Sequence, residues 1–105
     1  MDAERRYEEV ADDLVARGLA ERAKMFGMPS LKARGKAIGG FYNGDMVFKL
    51  TDATSRAAAL ALDGAHLFEP MAGRPMKEWV QVPAAHADEW PRLAEEAAVI
   101  TPPSG

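Results

Sequence analysis

The stretch Lys36-Ala37-Ile38-Gly39-Gly40-Phe41-Tyr42-Asn43-Gly44-Asp45-Met46-Val47-Phe48-Lys49-Leu50 decides the fold. At its centre, Asn43-Gly44 is a strong short-range hairpin signal, because a type I′ turn needs positive φ at both central residues and these two types adopt it at least cost. Beyond the turn Met46, Phe48 and Leu50 alternate with Val47 and Lys49, so one strand face is apolar and the other mixed. Before it, Lys36 to Tyr42 supplies the partner strand, with Gly39 and Gly40 suited to close packing of a neighbour. Arg34-Gly35 is a second turn candidate and adds a strand through Ser30, Leu31 and Lys32, extending back toward Met25. Three adjacent antiparallel strands are therefore expected at the middle of the chain.

Helices flank them. From Ala3 to Arg17 the apolar residues Tyr7, Val10, Ala11 and Leu14 recur at spacings of three and four, which makes one buried stripe on a surface helix. Asp2 is its N-cap, and Gly18 ends it in the left-handed conformation. After the hairpin, Thr51-Asp52 caps a helix over Ala53 to Leu62, whose inner face is expected at Ala53, Ala57, Leu60 and Ala61. His66 to Pro70 and Met76 to Val82 are two further strands joined by the loop Met71–Pro75. In the second of them Trp79 and Gln81 face one way and Val80 and Val82 the other. A last helix starts near Ala87 or Asp88 and runs to Val99 with Trp90, Leu93, Ala94 and Ala97 inward; Pro91 fits only in its first turn, where the missing amide has no intrahelical partner. The order is α-β3-α-β2-α. Strands in groups predict an α+β, two-layer fold, an antiparallel sheet with helices on one face.

The 105 residues contain 13 Lys+Arg, 16 Asp+Glu and no Cys, which bounds the chain to one small domain over 1–100 with a loose tail at 101–105. Without Cys there is no disulfide, thiolate nucleophile or Cys-ligated metal. The charged start Met1-Asp2-Ala3-Glu4-Arg5-Arg6 lacks the apolar core of a signal peptide, and no apolar run approaches a membrane span, so a cytoplasmic location without membrane association is expected.

Several pieces in order, Met25-Phe26-Gly27, Gly35-Lys36 through Gly40 to Asn43-Gly44, Val47-Phe48-Lys49-Leu50, Phe68-Glu69-Pro70, Gly73-Arg74-Pro75-Met76 and Trp79 through Pro83, resemble the TfoX N-terminal-domain-like family, related to the N-terminal domain of the bacterial TfoX/Sxy competence regulators. The resemblance runs from Arg22 to about Ala97. It implies a secretion-chaperone-like two-layer α+β fold and brings no catalytic residue. The competence regulators carry a second, helical domain that has no counterpart here, so the chain is expected to be a stand-alone version of the N-terminal domain.

Charge is uneven along the chain. Residues 1–21 hold seven acids and three bases, whereas residues 22–44 hold Arg22, Lys24, Lys32, Arg34 and Lys36 and no acid. Such a basic hairpin could receive an anion, a nucleic-acid backbone or an acidic protein surface. The simpler reading is that these side chains cover the sheet's solvated face and edge and deter edge pairing. Gly35-Lys36 superficially suggests a phosphate loop, but position 30 is Ser and position 37 is Ala, where that motif requires Gly and Ser or Thr. In Gly73-Arg74-Pro75 the guanidinium could meet a carboxylate or phosphate, or instead pair with Glu69 or Glu78 and fix the turn. His66 and His86 lack partners at metal-ligand spacing, and nothing in the sequence calls for a metal, a cofactor or a catalytic residue. Met25, Phe26, Met28 and Pro29 could form an adaptable partner surface, with core packing the expected role of Phe26.

These observations predict a non-enzymatic binding or regulatory module that acts through protein–protein interaction, with a homodimer as a further expectation. Lys32, Arg34, Lys36, Lys49 and Arg74 are the candidate anion or partner contacts. Two alternatives stand beside it: a nucleic-acid-associated regulator using the basic 22–36 region, and a small-molecule enzyme or sensor with a pocket near Arg74.

Overall fold

The computed structural model describes residues 2–100. Its elements are α1 (Ala3–Ala16), β1 (Glu21–Met25), β2 (Met28–Ala33), β3 (Lys36–Tyr42), β4 (Asp45–Lys49), α2 (Ala53–Leu60), β5 (His66–Met71), β6 (Arg74–Val82), a 3₁₀ segment (Ala84–Glu89) and α3 (Trp90–Ile100). The six strands form one antiparallel sheet in the order β1-β2-β3-β4-β6-β5. The α+β, two-layer reading is correct. Four strands precede α2 where three were expected, because residues 21–33 fold back on themselves at Phe26-Gly27. The tail at 101–105 lies outside the described residues.

Helix α1 follows its sequence pattern: Asp2 accepts a hydrogen bond from the Glu4 amide at 3.1 Å, and Tyr7, Val10, Ala11 and Leu14 are buried. Helix α3 buries Trp90, Leu93, Ala94, Ala97 and Ala98, with Pro91 in its first turn. Both pack on one sheet face, where Leu31, Ile38, Met46, Phe48, Val80 and Val82 complete the main core. Helix α2 differs from expectation. Ala53 and Ala57 are exposed, and the helix turns Ala59 into the core. Its alanines are equivalent around the helix axis, so their spacing carries no face; the orientation instead agrees with Arg56, which donates to the carbonyl of Leu50 at 2.9 Å.

The second sheet face has a core of its own. Met28, Val47, Phe68 and Trp79 are buried there, with Met25, Ala37, Tyr42 and Met76 packed around them, although no helix contributes to this cluster. The cover comes from the β5–β6 hairpin. Its register breaks between Leu67 and Phe68 and again between Phe68 and Met71, and such irregularities bend a strand pair. The distal arm thereby reaches the β1–β2 turn, and Phe68 meets Tyr42 edge-on at 5.0 Å. Gly39 and Gly40 permit the central strands to approach: a Cβ on Gly39 would lie 2.7 Å from the Val47 carbonyl oxygen, and one on Gly40 would lie 2.7 Å from that of Pro29.

Tyr7 gives the core a titratable group. It is 1% exposed, and burial pushes its pKa from 10.0 up to about 12, against the opposing pull of Arg22. The raised folded value means that stability is complete below pH 10 and falls as the unfolded state ionises first, until the folded state ionises near pH 12. The loss across this window should reach about 2–3 kcal/mol, at roughly 1.4 kcal/mol per pKa unit. Urea unfolding followed from pH 9 to pH 12 should show this decline, and Tyr7→Phe should flatten it.

Candidate functional site

Three turns in this sheet have the same backbone form. Phe26-Gly27, Arg34-Gly35 and Asn43-Gly44 each place positive φ at both central residues, with φ of 53°, 51° and 51° at the first. Asn suits that conformation because its short polar side chain compensates locally; a bulky side chain there costs on the order of 1–2 kcal/mol. Arg34 gains something in return, since its guanidinium donates to the carbonyl of Ala98 at 2.7 Å and so meets the negative end of α3. Phe26 has no such return from the fold. The residue is 67% exposed, contrary to the core role expected for it.

Beside Phe26 stands the tip of the β5–β6 hairpin. Phe26, Pro70, Met71, Arg74, Pro75 and Met76 line a cleft of about 530 Å³ between the two tips. Met71 is 63% exposed, so two large apolar side chains stand at its rim. Arg74 is the one charged residue in the lining. It pairs with neither Glu69 nor Glu78, and among the described residues it has no ion pair. The turn is fixed differently: the Glu69 carboxylate accepts from the backbone amide of Gly73 at 3.0 Å, which leaves the guanidinium free of a structural duty at this turn.

The basic region is dispersed by comparison. Arg22 is held on α1 by Glu8 at 2.9 Å and by Asp12, and the hydrogen bond to Asp12 is the main reason its pKa lies above the ordinary value. Lys32 and Arg34 share a shallow recess of about 230 Å³ with Glu21, an acid that stands directly opposite Lys32 in the β1–β2 register. Lys36 opens β3, and Lys49 lies opposite Trp79 in the β4–β6 register. The five candidate contacts therefore do not converge: Lys32 and Arg34 meet, while Arg74 belongs to the cleft.

Sequence reasoning singled out Arg74 through its Gly-Arg-Pro setting, weighed Phe26 as a partner surface but placed core packing first, and did not consider Met71. The available signal was Gly27, which follows Phe26 as Gly44 follows Asn43 and marks a turn tip in the same way. His66 and His86 bond to backbone oxygens of Leu67 and Asp63. Among the described residues no group of three His, Asp or Glu side chains is placed to hold a metal ion, and no described helix is long and apolar enough to cross a membrane. Comparison with family models, with curated proteins and with solved structures finds no match to this chain.

Proposed function

We propose that this chain is a cytoplasmic, non-enzymatic binding module of the TfoX N-terminal type, acting through protein–protein contact at the cleft between the two hairpin tips. The observation that carries this reading is Phe26: an aromatic residue in a left-handed turn conformation, 67% exposed, where the same sheet uses Asn at the equivalent place. A bulky apolar side chain kept at a left-handed turn position, combined with its exposure, is a mark of a functional surface. A homodimer through the same tips is one form such contact could take. Regulation through nucleic acid is less well supported, since Arg22 and Arg34 are engaged within the chain and Lys32 faces Glu21.

Retention of a partner from the source cell on immobilised protein provides the test, with Val99→Asn as control because Val99 is 64% exposed on α3, outside the cleft lining. Phe26→Asn should abolish retention and Val99→Asn should preserve it. Equal retention by both variants would remove the cleft from consideration.

A further inference from the structure

We infer that the cleft receives an extended segment of a protein partner that presents an apolar side chain next to a carboxylate. This rests on the reading of the cleft as the contact surface. The lining has one cation among apolar side chains, and that cation is exposed and without an ion pair among the described residues. The acid at the same turn, Glu69, accepts from the Gly73 amide and is not among the lining residues, so Arg74 is the one formal charge in the cleft lining. A guanidinium on a turn between Gly73 and Pro75 presents a planar fork of donors that matches a carboxylate.

The rim favours a polypeptide over a free small molecule. A volume of about 530 Å³ lies within the roughly 300–1,000 Å³ of small-molecule sites, so volume alone does not separate the two kinds of occupant. Phe26 and Met71 stand at 67% and 63% exposure, so most of each remains to be covered by an occupant that extends past the cavity. A segment with one apolar side chain between the tips and chain continuing over both rims does this, while its neighbouring Asp or Glu reaches Arg74. Aromatic, Met and Arg side chains are also the types enriched where proteins meet.

Two peptides test this against the isotope-labelled full chain by NMR titration at low salt: acetyl-Gly-Glu-Leu-Phe-Glu-Gly-amide and the same peptide with Gln in place of both Glu. The acidic peptide should shift the amides of Phe26, Gly27, Met71 and Gly73 and bind about threefold or more tightly than the neutral one, the scale of one exposed ion pair. In Arg74→Gln the two should bind alike, at the neutral peptide's affinity. Equal affinity of both peptides for the unaltered chain overturns the carboxylate inference and leaves the apolar cleft standing. Shifts that avoid both tips overturn the inference, and the retention experiment with Phe26→Asn then decides separately whether the cleft is a contact surface.

Discussion

Replacing Phe68 by Ala should destabilise the protein by about 3–5 kcal/mol, the usual cost of deleting a fully buried phenyl ring. Phe68 is 0% exposed and sits between Tyr42, at 5.0 Å, and Trp79, at 6.4 Å between ring centroids. Among the described residues no helix contributes to this buried cluster, and the ring packs the distal β5–β6 arm on the strands beneath it. The loss should therefore be uneven. Urea unfolding should register the full decrease, and hydrogen exchange should accelerate first at the arm, at the amides of Met71 to Gly73, before it does so in β3 and β4. Unchanged exchange in the arm, with the same global loss, would mean that the arm is held by something other than this ring.

Gly40→Ala is the second large effect and acts in the opposite sense, by crowding. The added Cβ would lie 2.7 Å from the carbonyl oxygen of Pro29 and 2.7 Å from Cε of Met28, with the Cα of Ser30 at 3.3 Å. The Met28 methyl can move aside, but the Pro29 oxygen is backbone of β2, the strand paired with β3. Relief requires the two strands to part, at a cost of about 1–3 kcal/mol typical of overpacking, rising toward the upper end because a backbone atom is the obstacle. Denaturant midpoints should fall accordingly. Gly44→Ala makes an instructive contrast, since nothing lies within 4 Å of its added Cβ and the whole penalty comes from φ of 86°.

The residues that announced themselves in the sequence were those whose local chemistry and tertiary role agree. Asn43-Gly44 is a turn by its own preferences, and the stripe of Tyr7, Val10, Ala11 and Leu14 is buried because a helix with that spacing has one place to put it. Where local preference is silent, the structure had to decide. Phe26 has no turn preference and Gly27 is the one mark of a turn there, so the hairpin of β1 and β2 reads as a single strand. The alanines of α2 define no face. The second core was half visible: Val47 on β4 and Trp79 on β6 are apolar on the face opposite Phe48 and Val80, which is the pattern of a sheet buried on both sides. Sequence could not show that a bent hairpin of the same chain, instead of another helix, provides the cover. Of the candidate site, Arg74 was legible because glycine and proline around a cation mark a shaped loop. Its apolar companions come from a turn that is distant in sequence and meets it only through the bend in β5 and β6.

If Phe26 is held at the β1–β2 tip for contact and not for the fold, the stability of Phe26→Asn shows it most directly. Asn relieves a left-handed aromatic residue and withdraws an exposed ring, so the urea midpoint should rise by the equivalent of about 1 kcal/mol with an unchanged slope. A decrease of about 1 kcal/mol or more would show that the ring packs for stability, and would contradict the assignment of this cleft as a binding surface.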